Sequence, residues 1–285
     1  MNKLLSAEFV RLFKSRIFRV SLLFSAGLAV LFSMLRYTDV KKNAAHYAEW
    51  DYGPDFMTTD GLILVGSIYL IFVIAAFIGI FIGTEYSDGT LRNKLTAGHT
   101  RSGIYLSKLI VCIAADVMIH VLFILAMIAL RIVLFHGLPG NLSELPLCVA
   151  VSAAAVAALS ALLLLFSMLI PSKAVGSVAC LLTLIVMLFA SLTIDNKLRV
   201  PAQIYEETYN EEGEVVLEAT PAANHLSGTK RKVFEFLNDF LPVSQLYQIA
   251  QDPSGDYGIM AAYDGIILIA AAGAGMAAFK KKNLK

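Results

Sequence analysis

Six apolar runs, each long enough to cross a lipid bilayer, constrain this chain more than any other feature. They fall at about residues 17–35, 62–82, 104–130, 147–170, 174–194 and 259–279. A hydrocarbon core of ~30 Å is crossed by about 20 apolar residues in a helix. Inside it the backbone has no water to bond, so a run of this kind must satisfy its own N–H and C=O groups as a helix. Composition agrees: 58% of the 285 residues are hydrophobic and 16% charged, with the charges gathered between the runs. The expected fold is an all-α membrane protein with six transmembrane helices, read as one transmembrane domain over residues 1–285, with residues 195–258 inserted between spans five and six.

The basic residues orient this domain. The N-terminal stretch, the 84–108 loop, Lys173 and the tail from Lys280 hold most of the 23 Lys and Arg. By the positive-inside rule those segments are cytoplasmic. The expectation is a multi-pass plasma-membrane protein with both termini inside and the 195–258 segment outside. A net charge of +1 spread over several loops makes no nucleic-acid surface; the partner that composition implies is membrane lipid.

Residues 2–19 form a basic amphipathic stretch. On a helical wheel Leu5, Phe9, Leu12, Phe13 and Ile17 share a face, and Lys3, Glu8, Arg11, Lys14 and Ser15 lie opposite; Leu4 and Arg16 fall off the pattern. Such a helix lies in the interface plane with its apolar face down. It is too long and too patterned for a signal-peptide n-region, and no small-x-small cleavage site follows. Residues 36–60 read as an acidic loop whose Tyr47, Trp50 and Tyr52 suit the headgroup level. Gly79-x-x-x-Gly83 permits close helix approach, and Pro171-Ser172-Lys173 joins spans four and five as a tight antiparallel pair. In the 195–258 insertion, residues 203–209 and 214–219 resemble a hairpin. An amphipathic helix over 229–240, carrying Val233, Phe234, Phe236, Leu237 and Phe240, is broken at Pro242, and a shorter helix covers 244–251. This segment reads either as an outer cap on the bundle or as an acidic hairpin on a membrane-hugging helix.

Between spans two and three lies a polar, basic stretch, Gly83 to Lys108. A short helix is expected over Thr90–Thr96, with Asp88 capping its first turn and Gly98 ending it. Thr100 or Ser102 can cap the helix that follows. Gly83-Thr84-Glu85, Gly89-Thr90-Leu91, Arg101 and Ile104-Tyr105-Leu106-Ser107-Lys108 together resemble the first cytoplasmic loop of type-2 ABC transporter permeases. The six-span layout, the N-terminal interfacial helix and the Phe279-Lys-Lys-Lys tail extend a weaker likeness over the chain. The resemblance implies the membrane subunit of an ATP-driven exporter. It also implies a translocation path formed with a second copy or a sister permease, and a separate ABC ATPase subunit carrying ATP and Mg. Energy would pass through the 84–108 loop, with Glu85, Thr90, Leu91, Arg92, Lys94, Leu95 and Arg101 as the candidate coupling residues. Leu91 and Leu95 are four apart and share a face, which suits a partner's groove.

The chain has no chemistry of its own. It lacks a Gly-x-x-x-x-Gly-Lys-Ser/Thr loop, so any ATPase is expected to be a separate polypeptide. It also lacks His-Glu-x-x-His, Cys-x-x-Cys and a nucleophile elbow. Five scattered histidines and the unspaced Cys112, Cys148 and Cys180 give no catalytic or metal set, and no cofactor is expected on this chain. Two ionisable residues fall within span three. Asp116 and His120 are four apart on one face, with Arg131 near the same stripe. A charge at that depth costs a few kcal/mol on insertion scales, so it should be paired and face protein. An Asp116–His120 hydrogen bond in the bundle or at a subunit contact is the structural reading. A proton relay in a secondary transporter is the alternative, and a non-transporting anchor or sensor is a third. Glu85, at the C-terminal end of span two, opposes the helix dipole; it should have a basic partner among Arg92, Arg101 and Lys108.

Overall fold

The computed structural model describes residues 2–49, 62–137, 144–209, 215–251 and 255–282. The helices are α1 (Asn2–Lys14), α2 (Arg16–Glu49), α3 (Leu62–Ser87), α4 (Thr90–Thr96), α5 (Arg101–Phe135), α6 (Leu145–Leu169) and α7 (Lys173–Leu198). A hairpin of β1 (Gln203–Tyr209) and β2 (Val215–Pro221) follows, then α8 (Gly228–Phe240), α9 (Pro242–Gln251) and α10 (Tyr257–Lys281). Six of them, α2, α3, α5, α6, α7 and α10, are long and apolar enough to cross a membrane. The protein is an all-α membrane protein.

The bundle is built around α3, which packs on α7, α6, α9, α2 and α5. Its glycines set the closest approach: a Cβ at Gly79 would lie 2.6 Å from the Ser177 Cα, and one at Gly83 2.8 Å from the Lys173 Cα. Without side chains there, the α3 and α7 backbones come together and gain dispersion contact, which is the main attraction between helices in lipid. Helix α6, rich in Ala and Ser, packs on α10, α5 and α3 for the same reason. The turn at 170–172 brings α7 back antiparallel, with the Ser172 hydroxyl accepting the Val175 N–H at 3.4 Å.

Some boundaries differ from expectation. Helix α2 runs on to Glu49, kinked at Asn43 (φ −110°, ψ 17°), where a loop was expected from residue 36. Polar side chains prolong it beyond the apolar run: Arg36 pairs with Asp39 at 2.7 Å and Asn43 donates to Asp39 at 2.8 Å. Such i,i+3 and i,i+4 contacts support an exposed helix without a core. Trp50, Tyr52 and the side chain of Tyr47 lie outside the described residues. Helix α5 begins earlier, at Arg101, because the Thr100 hydroxyl accepts the Gly103 N–H at 3.2 Å.

At one end of the bundle the 195–258 insertion folds back onto the helices. The hairpin pairs Gln203 with Pro221 and Tyr209 with Val215. Helix α9 buries Val243, Leu246 and Ile249 and packs on α3, α6 and α7, as a cap on the bundle would. It is fastened to α8 by polar bonds, Ser244 to Asn238 at 2.6 Å and Gln245 to the Asp239 carbonyl at 2.7 Å. At the opposite end lie α1, α4, the α6–α7 turn and the C-terminal tail.

Helix α1 corrects the wheel drawn from sequence. Its buried residues are Leu4, Glu8 and Leu12, while Val10 and Phe13 are exposed. The stripe that meets α5 therefore carries a carboxylate in its middle, and Leu4 belongs to it. The reason is the set of cations that Glu8 meets.

A charged junction as the candidate functional site

Five ionisable side chains from four elements converge where α1, α3, α4 and α5 meet. Glu8 comes from α1 and Glu85 from the last turn of α3. Lys108 extends from α5 and contacts both carboxylates. Lys94, from α4, also bridges them, lying 3.0 Å from Glu85 and in contact with Glu8. Arg11, one turn after Glu8, lies 3.4 Å from it and pairs with Glu85. Arg11 also donates to the Phe81 carbonyl at 2.7 Å and stacks over the Phe81 ring at 4.1 Å. The Glu8 and Glu85 side chains are 1% exposed and that of Lys108 0%.

Charges this deep are tolerated only when paired, because their desolvation otherwise costs several kcal/mol each. Burial alone would push the Glu8 carboxyl upward, but the Lys108 ammonium, then Lys94, outweigh it and hold it below 4.5. Burial lowers the Arg11 guanidinium from its ordinary value, with Glu8 opposing that shift. Two carboxylates face three cations, so the junction carries one surplus positive charge.

The junction clamps α4 to the bundle. The helix opens from Gly89, whose φ of 67° is in the left-handed region that glycine enters without penalty. Asp88 makes no cap bond to α4, contrary to the sequence expectation; the αL turn at Gly89 takes the N-cap position instead. Thr90 donates to the Glu85 carbonyl at 3.3 Å, tying the start of α4 to the end of α3. Leu91 is buried at 2% exposure and Leu95 packs half-buried on the same core. The two-leucine face expected to enter a partner's groove is thus turned inward. The outward face carries Arg92, Asn93 and Thr96.

Other predicted residues fall outside this junction. Neither Arg92 nor Arg101 partners Glu85. Arg101 donates to the carbonyls that end α10, at 3.3 Å to Phe279 and 3.2 Å to Lys280, and also reaches the Lys282 carbonyl. A cation at unsatisfied C-terminal carbonyls is favourable. Lys282 in turn donates to the Tyr86 hydroxyl at 2.6 Å and the Met168 carbonyl at 2.9 Å. Burial lowers its ammonium to about 8.

Asp116 and His120 are fully buried but do not bond one another. Asp116 accepts from Ser160 at 2.7 Å, and His120 meets the Ser152 hydroxyl at 2.9 Å. Both serines lie on α6. An i,i+4 pair on one helix points at the same neighbour, and here that neighbour offers a separate hydroxyl to each. Arg131 reaches the Gly137 carbonyl at 2.9 Å, at the end of α5. Cys112, Cys148 and Cys180 are buried free thiols. Among the described residues no group of His, Cys, Asp and Glu is arranged to hold a metal.

Sequence reasoning missed Glu8 and Arg11 as parts of this site. The available signal was a lone acid inside a basic amphipathic helix, four residues from the off-pattern Leu4.

A model of the ABC-2 family transporter protein matches residues 4–191, from α1 through most of α7. The chain belongs to the ABC-2 transporter family. Every residue of the charged junction lies within the matched region, and so do Asp116 and His120. The insertion that carries α8 and α9, and the last span α10, lie beyond it. No curated protein matches the chain. As an ABC-2 family member the protein is a multi-pass membrane subunit of a transporter, and the 83–108 stretch that resembles type-2 ABC permeases lies within the matched residues.

Proposed function

We propose that this ABC-2 permease forms the translocation path of an ATP-driven exporter as a dimer, with a second copy or a sister permease. It is driven by a separate ATPase that holds ATP and Mg and docks on α4. The observation that carries this reading is the clamping of α4. Lys94 and Leu91 hold the helix to α1, α3 and α5, while Arg92, Asn93 and Thr96 face away from the chain. A force on that outer face is delivered at once to the interfacial helix and two spans, because the ion pairs leave α4 little freedom to move alone. The N- and C-termini and α4 are placed in the cytoplasm on the strength of the basic residues gathered at that end.

The exposed face of α4, rather than its leucines, is then the docking surface. Arg92→Asp with Thr96→Asp should leave insertion and melting unchanged, since both residues are exposed. Purification from native membranes, with mass spectrometry of the bound proteins, should recover an ATPase with the parent and far less with the variant. Equal recovery from both would refute docking through α4.

A further inference from the structure

A cleft of about 390 Å³ opens at the elbow where α1 ends and α2 begins. Its cations are Arg11, Lys14 and Arg16; Ser15 and Thr84 line it as well, and Ile17 and Phe81 are its apolar residues. No carboxylate lines it. Neither Lys14 nor Arg16 is paired with a carboxylate among the described residues. Arg11 belongs to the junction with the surplus positive charge, and 28% of its side chain remains exposed, the largest share of any junction cation. The backbone adds donors: the first bond of α2 runs from the Arg19 N–H to the Ser15 carbonyl at 3.3 Å, so the amides at 16–18 open the helix without a preceding turn. N–H groups that open a helix in this way favour an anion.

An apolar groove lies further along the same helix. Arg16, Val20, Leu23, Gly27 and Leu31 follow one another at helical spacing along one stripe of α2. A groove of about 500 Å³ runs along Val20, Leu23, Phe24, Gly27 and Leu31. Gly27 leaves a notch in it, since a Cβ there would meet nothing within 4 Å. Val10 and Phe13, exposed on α1, place the elbow where apolar side chains meet polar headgroups. We propose that this elbow binds one anionic phospholipid, its phosphate between Lys14, Arg16 and Arg11 and one acyl chain along the α2 stripe. The proposal needs only the membrane placement and not the docking of an ATPase.

The test uses the full chain in phosphatidylcholine-containing detergent, titrated with phosphatidylglycerol and, separately, with inorganic phosphate. Bound lipid is read by native mass spectrometry and stabilisation by melting temperature. Lys14→Gln with Arg16→Gln should weaken phosphatidylglycerol roughly fivefold per charge removed, the effect of a basic residue near an anionic lipid surface. Lys3→Gln with Lys280→Gln removes two charges from the same end outside the cleft and should change binding less than twofold. Gly27→Phe should fill the notch and weaken the lipid while leaving any phosphate effect untouched. Equal losses in the two charge variants would overturn the site, because surface charge alone would then explain binding. Stabilisation by inorganic phosphate without gain from the lipid would overturn the lipid assignment. So would a disulfide between two copies carrying Gly27→Cys, since protein rather than an acyl chain would then cover the groove.

Discussion

Replacing Glu85 by Gln should loosen the charged junction. The parent junction balances two carboxylates against three cations; Glu85→Gln leaves one carboxylate against the same three. Lys94 and Arg11 are 19% and 28% exposed and can turn toward water, so little of the cost falls on them. Lys108 is 0% exposed and has no such escape. It keeps Glu8 as its one carboxylate, shared with Lys94 and Arg11; leaving a buried charge wholly unpaired typically costs about 3–5 kcal/mol, and the surviving Glu8 contact puts this loss below that range. Undocking of α1 and α4 caps the loss, because their separation admits water to Lys108. The single variant should therefore melt lower, and α1 should detach below that temperature. Adding Lys108→Met removes the under-paired charge, leaves Glu8 with Lys94 and Arg11, and should recover most of the loss. Contacting charged residues commonly show a coupling of about 0.5–3 kcal/mol in a double-mutant cycle, and this buried pair belongs at the upper end. Melting of the purified chain would give the cycle, and thiol labelling of Leu4→Cys, buried only while α1 is docked, would report detachment. A double variant no more stable than Glu85→Gln alone would refute the argument that an under-paired Lys108 is the source of the cost.

Three further outcomes follow from the same geometry. Glu8 is held below its ordinary value by Lys108 and Lys94, so its stabilisation of the docked α1 is present above pH 4.5 and lost as pH falls through the lowered value; spin labels at Ser6 and Asn93 should keep a narrow distance distribution at pH 6 and broaden in stronger acid. Asp116→Asn preserves an acceptor for Ser160, so melting and the proposed ATP-driven transport should stay close to the parent; loss of transport with intact assembly and loss of proton coupling would instead support a secondary transporter. Cysteines at the exposed positions Ser87 and Ser227 should label from opposite sides of the membrane with an impermeant reagent, against a low background from the three buried native thiols; labelling from one side would refute the six-span topology.

What the sequence determined by itself was the architecture along the membrane normal. Runs of apolar residues near 20 long have one solution in a bilayer, so the six spans, the short helix at 90–96 and the helices of the insertion were legible from local pattern. Glycine spacing also reads locally, and Gly79 and Gly83 do bring α3 onto α7. The tertiary structure alone decided which polar residues meet. Glu8 and Lys108 are 100 residues apart, and Glu8 and Lys94 are 86 apart; no periodicity links them. An amphipathic wheel ranks faces by hydrophobicity, so it put Glu8 toward water, whereas the decisive term was the pairing of its charge with Lys94 and Lys108 on two other helices. The leucines of α4 were misread for a related reason: their shared face is visible in sequence, but whether it turns to a partner or to its own bundle depends on the end of α3 and the start of α5 standing close enough to cover it. Asp116 and His120 show the same division. Helical spacing set them on one face, and only the position of α6 gave each its own serine.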